Sequence, residues 1–290
     1  MNNLGPESDS TIAREESTGS NCSVSLQKLI NESSNDALPL SWLNSYPIIP
    51  VESEIALLSI LLPYGNKERG MMKDHPPRRV EEIFDSCNIH GMKLEQALSL
   101  RRYHMMLLNP QIKSITHLGL GNTKDIRDAK YHFIRSVKHH LKECGIPFVT
   151  KKEQTTRIKK SEQGETMQST PDLMLPSPVN LLTNNQPINQ DLGVTEGGII
   201  NWIDCKMMYG ASIAPNGTRS IGGGIPATAR KYLNNYGPGA IIFLHGCGST
   251  LSAQLRDMDI QVLDSYPLDL TQMLKQKKSW CSDRSGLLLP

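Results

Sequence analysis

Paired cysteines are missing from this chain. Its six, Cys22, Cys87, Cys144, Cys205, Cys247 and Cys281, lie far apart and none form a C-x-x-C. That spacing offers neither a disulfide framework nor a zinc knuckle, and it points to a reducing compartment. Long apolar runs are missing too. None approaches the roughly 18 to 20 residues that span a bilayer, and the opening "MNNLGPESDSTIAREESTGS" is polar and acidic, unlike a signal or transit peptide. A soluble, intracellular protein of nucleus or cytoplasm, with no membrane partner, is the expectation. Aromatics make up only 5% of residues, with four Phe, so no aromatic stacking platform for nucleic acid can be read. An excess of one charge is also absent. The 31 basic and 29 acidic residues leave a formal charge of +2, which argues neither for nor against a nucleic-acid partner.

What is present is one modest core. A chain of 290 residues with 38% hydrophobic content can bury a core of roughly 150 to 200 residues with appendages. Residues 1–36 are rich in Ser, Glu and Asn and read as a disordered tail that cannot offset its ordering entropy. Residues 37–122 hold helix-like segments, "ESEIALLSILLPYG", "RRVEEIFDSC" and "MKLEQALSLRRYHMMLLNP", and read as an accessory helical region. Residues 123–280 form the principal domain. There Thr123 is placed to cap a helix with the stripe Ile126, Ala129, Phe133, Ile134, Val137 and Leu141, ending at Gly145.

The strand signals follow. "IPFVT" (146–150) reads as a short strand, and the lysine-rich "KKEQTTRIKKSEQGETMQST" reads as a loop. "DLML" is the next strand, and residues 176–198, with three prolines, read as a long connection. "IINWIDCKM" then sets Ile200, Trp202, Asp204 and Lys206 on one face, with Ile199, Asn201, Ile203 and Cys205 on the other. "PATARKYLNNYG" is a helix with Pro226 near its start and Gly237 at its end. "GAIIFLHG" and "DIQVLDSY" are strands, and "LDLTQMLKQKK" is a closing helix. The sum is an α/β fold, a sheet of mixed direction covered by helices.

Two features of the strands are chemically pointed. Asp172 stands at the entrance of "DLML", and Asp204 and Lys206 share one face of the following strand. Two carboxylates brought together repel each other alone, yet suit a hard cation that takes oxygen ligands, with Mg²⁺ the natural candidate and Mn²⁺ its substitute. An adjacent lysine can orient water or balance developing charge, so the chemistry such a set performs is phosphodiester hydrolysis. Each residue also has a plainer reading. Asp172 can cap a turn after Pro171, and Asp204 with Lys206 can be an edge ion pair of little weight. Lys151, Lys152, Arg157, Lys159 and Lys160 can embrace a nucleic-acid backbone or simply populate a basic loop. Cys205, on the opposite face, reads as core.

The ordered set "TPD" (170–172) and "IDCK" (203–206) resembles the PD-(D/E)XK nuclease superfamily. More narrowly, "TPDLMLPSPV", "GGIINWIDCKMMYG", "YLNNYGPGAIIFLHG" and "DIQVLDSYPLDL" are similar to its eukaryotic TPD-motif branch, typified by the codanin-interacting nuclease of animals. The resemblance spans residues 123–273 and implies a restriction-endonuclease-like mixed sheet. It further implies metal-dependent cutting of DNA or RNA, with Asp172 and Asp204 as metal ligands and Lys206 assisting the attacking water. Many members carry a glutamate on the first core helix. Here the aligned position is His132, with Asp128 one turn earlier, so either is the candidate third contributor. Residues 182–195 read as an insertion relative to the family hairpin. A codanin-like partner in chromatin assembly is the further implication, and it leaves room for a catalytically weak nuclease fold that acts as a protein-binding module.

Overall fold

Four apolar residues of one stripe decide where the sheet is covered. In the computed structural model of the chain, residues 37–61, 92–100, 123–161, 169–183, 195–212 and 224–278 are described. Ala129, Phe133, Val137 and Leu141 are fully buried along one helix, Thr123–Glu143, at the 3.6-residue period of an amphipathic face. In chain order the elements are β1 (Leu38–Trp42), α1 (Val51–Leu61), α2 (Thr123–Glu143), β2 (Val149–Thr150), α3 (Lys151–Ser161), β3 (Leu173–Thr183) and β4 (Thr195–Lys206). They continue with α4 (Gly224–Tyr236), β5 (Gly239–Phe243), α5 (Ser249–Arg256), β6 (Ile260–Asp264) and α6 (Thr271–Lys278).

The strands form one six-stranded mixed sheet in the order β1-β3-β4-β5-β6, with β2 pairing β3 off that path. β3 and β4 are antiparallel, while β4, β5 and β6 run parallel through the crossover helices α4 and α5, as parallel neighbours require. β5, Gly-Ala-Ile-Ile-Phe, is buried throughout, which suits a central parallel strand covered on both faces. Ala240 and Ile242 join α2 in one cluster, whereas Ile241 and Phe243 join Trp202, α4 and α5 in the other. The fold is therefore mixed α/β, with helices on both faces of the sheet.

Five sequence expectations change. The lysine-rich stretch from residue 151 begins as helix α3, not loop. Thr150 and Glu153 form a capping box, in which the Thr150 N–H and hydroxyl reach Glu153 Oε2 at 2.7 Å and Thr150 Oγ1 accepts the Glu153 N–H at 3.4 Å. Residues 176–198 are not a free connection either. β3 runs on to Thr183, which pairs Thr195, and the exposed Pro176-Ser177-Pro178 fits because the register shifts between Met174 and Val179; a bulge is where a strand tolerates proline. The insertion expected at 182–195 thus has its ends in strands, and its middle lies outside the described residues.

The remaining three concern packing. Leu38–Trp42, expected within an accessory helical region, is a strand parallel to β3 in the main sheet, with Leu40 and Trp42 fully buried. α1 and the helical residues 94–100 do match the helix expectation, while Arg78, Arg79, Arg101 and Arg102 lie outside the described residues. Ile200 packs with Ile203 and Cys205 rather than with Trp202, because the bulge breaks strict alternation. Finally, α5 is a helix that no cap signalled: its N-cap is Gly248, without a side chain to bond. Ser212 Oγ does the capping from a distance, accepting the N–H groups of Thr250 and Leu251 at 3.1 and 3.2 Å.

Candidate active site

The segment Ser169-Thr170-Pro171-Asp172 is fixed through four successive carbonyls. Tyr236 Oη donates to Ser169 O at 3.3 Å and Tyr232 Oη to Thr170 O at 3.1 Å. Gln154 Nε2 donates to Pro171 O at 3.3 Å, and the Lys151 N–H to Asp172 O at 3.1 Å. The donors come from α4 and from the start of α3, so both helices clamp the chain just before it enters β3. The Tyr232 and Tyr236 spacing of one helical turn places both hydroxyls on one face of α4.

Asp172, thus held, is itself buried. Its Oδ2 accepts the backbone N–H of Cys205 on β4 at 3.1 Å, which aims the carboxylate across the strand pair toward Asp204 and Lys206. Lys206 Nζ lies 2.6 Å from Asp204 Oδ2, a charge contact more than an aligned hydrogen bond, since that oxygen has no partner of hydrogen-bond geometry. Burial pushes Asp204 above the ordinary carboxylate range; Lys206 opposes that shift and Asp172 adds to it. The influence of Asp172 on Asp204 means that the two carboxylates feel each other through protein, as like charges sharing a site do. For Lys206, burial is the largest influence and would lower the pKa, but Asp204, joined by Tyr232 and Asp172, turns the net shift upward. Tyr232 is raised by burial and by Asp204.

The sequence-predicted residues fare unequally. Asp172, Asp204 and Lys206 come together. For the third contributor expected at Asp128 or His132 no contact with them is seen, and among the described residues no three His, Cys, Asp or Glu side chains group as a metal shell. The α2 residue that reaches the site is Lys130, with Nζ 3.6 Å from Asp172 Oδ2. Lys130 was missed because it borders the apolar stripe, three residues before Phe133, where a lysine reads as solvated surface. Cys205 is core as expected, with its thiol pushed well up by burial and by Asp172 and Asp204. Among the described residues no helix is long and apolar enough to cross a membrane.

The glycines after α4 also serve the site. Gly237 has φ +78°, ends α4 by returning its N–H to Leu233 O at 2.8 Å, and offers its carbonyl to Trp202 Nε1 at 2.8 Å. A Cβ at Gly239 would run into the Trp202 ring, so "GPG" and Trp202 form one packed unit beside Asp204.

The fold is thus a mixed α/β sheet with two buried aspartates and a lysine on or beside adjoining strands. The family model described as "Protein of unknown function TPD sequence-motif" matches residues 122–266, half of the 290-residue chain, and the chain belongs to that family. No curated protein matches it, and no solved structure does.

Proposed function

We propose that the chain is a metal-dependent nuclease, a phosphodiester hydrolase acting on DNA or RNA, with its centre at Asp172, Asp204 and Lys206. The observation that supports this most is geometric: Asp172 Oδ2 accepts the N–H of Cys205, the residue between Asp204 and Lys206, and Lys206 Nζ lies 2.6 Å from Asp204. On this reading the sheet is of the restriction-endonuclease-like, PD-(D/E)XK kind that the residue pattern resembles.

The residues fit Mg²⁺ or Mn²⁺. Mg²⁺ commonly takes one or two protein carboxylates and completes its shell with water and substrate phosphate. Asp172 and Asp204 supply the two carboxylates, and Asp204 Oδ2 lacks a well-aligned donor. The ion, when bound, would polarise a phosphoryl oxygen and lower the pKa of water. The chain does the rest. Asp172 is oriented by the Cys205 N–H, Lys206 would hold the attacking water or balance charge on the phosphorane-like transition state, and Tyr232 steadies the segment before Asp172 through the Thr170 carbonyl.

The test is direct. Purified full-length protein should cut a labelled oligonucleotide in Mg²⁺ or Mn²⁺ and not in chelator, and Asp204→Ala or Lys206→Ala should abolish cutting. Cutting that survives both substitutions overturns the assignment. A second reading, a weak nuclease fold that binds a codanin-like chromatin-assembly protein, draws on the two-carboxylate set, against which α2 sets Lys130. Recovery of such a partner by Asp172→Ala and Lys206→Ala proteins that do not cut would favour it.

A further inference from the structure

We infer that Lys130 is a phosphate-binding residue that holds Asp172 in the free protein and moves to the nucleic-acid backbone when substrate arrives. The inference rests on the phosphodiesterase reading above. It starts from a count of charges: the two carboxylates of Asp172 and Asp204 face the two ammonium groups of Lys130 and Lys206, so the centre is formally neutral, a poor attractor for a divalent cation.

The two lysines are not held alike. Lys206 sits 2.6 Å from Asp204 with a side chain 23% exposed, whereas Lys130 is 3.6 Å from Asp172 and 44% exposed. A pair that open is weak, and a lysine on its four-carbon stem can swing to another acceptor. A phosphodiester oxygen at the solvent edge is such an acceptor. The exposed Lys151 and Lys152 begin α3, whose first N–H bonds the Asp172 carbonyl, and so extend the same positive edge. Once Lys130 turns to phosphate, Asp172 is released and the carboxylate pair regains the negative charge that a cation needs. Cation and nucleic acid then assist each other, and the assistance is reciprocal.

Lys130→Gln separates this role from a structural one because the two ligands respond in opposite directions. Mn²⁺ alone, counted as free ion by electron paramagnetic resonance, should bind the variant about threefold to tenfold more tightly than the parent. A fluorescent oligonucleotide followed by anisotropy in chelator should bind it about threefold to tenfold more weakly, and the slope of log K against log salt should shrink by roughly 0.7 to 0.9, one phosphate contact. A loss of both affinities would make Lys130 a brace for the fold, and unchanged values would make it a bystander; either overturns the inference. Failure of the nuclease reading shows up separately, as an absence of oligonucleotide cutting by the parent protein in Mn²⁺.

Discussion

Two buried carboxylates in this molecule have opposite surroundings. Glu54, on α1, is 0% exposed, and Asp204, on β4, is 4% exposed. Glu54 accepts hydrogen bonds from Tyr209 Oη at 2.6 Å and from the Ser212 N–H, at 3.0 Å from Oε2 and 3.2 Å from Oε1. Through Ser212, which also caps α5, Glu54 ties α1 to the segment after β4 and to α5. Asp264 behaves in the same way, receiving the N–H groups of Ser45, Tyr46 and Tyr266 at 2.6 to 2.8 Å. Asp204 instead faces a lysine and a second aspartate. Burial is common to all three, so it does not mark a working site. The difference is that Glu54 and Asp264 accept hydrogen bonds from backbone and hydroxyl donors of the fold, whereas Asp204 is set between a lysine and a like charge.

That contrast can be broken at several strengths. Asp172→Asn keeps an oxygen for the Cys205 N–H but removes a charge, and it should lower oligonucleotide cutting by about 10² to 10³-fold, or some 3 to 4 kcal/mol of barrier, while chemical denaturation changes by less than about 1 kcal/mol. Glu54→Leu should do the reverse. It strands the Tyr209 hydroxyl and the Ser212 N–H and should cost about 3 kcal/mol of folding stability by urea titration, with cutting per folded molecule little altered.

How much of this could be read in advance depended on whether the signal was local. The stripe of α2, the buried run of β5 and the Asp-x-Lys of β4 are periodicities within one element, and they emerge in the structure as the sequence implied. The Thr150-to-Glu153 box was equally local, but it was masked by the lysines that follow, which suggested a loop. The assignments that failed depended on distant partners. β1 is a strand because Leu40 pairs with Leu181 and Trp42 Nε1 bonds Asp264 O, 222 residues away. α5 begins where it does because of Ser212, and Lys130 belongs to the site only because α2 crosses next to Asp172. No periodicity encodes any of those meetings.

Smaller effects sharpen the distinction further. His245, in the turn after β5, is a buried imidazole with both ring nitrogens unpartnered and its ring 6.2 Å from that of Tyr46; burial, with Lys277 second, pulls its pKa well below 6.5. A histidine depressed in this way supports the fold fully above pH 6.5 and loses that support as pH falls, because the unfolded chain takes up the proton first. Stability should therefore decline below pH 6.5 by up to about 1.4 kcal/mol per pH unit, and His245→Phe should flatten that part of the profile in thermal melts across pH. Thr150→Ala, which removes the α3 cap, should cost about 1 kcal/mol by urea titration. It should also reduce cutting modestly, since α3 holds Asp172 through the Lys151 N–H and Pro171 through Gln154.

The central claim, that Asp204 works while Glu54 only holds, is met most directly by crossing the two in one experiment. Asp204→Asn and Glu54→Gln proteins are assayed side by side for Mg²⁺-dependent cleavage of a labelled oligonucleotide and for melting temperature. The prediction is that Asp204→Asn abolishes cleavage with its melting temperature kept, and that Glu54→Gln keeps cleavage per folded molecule with its melting temperature lowered. Cleavage that persists in Asp204→Asn at the parent rate would contradict the account.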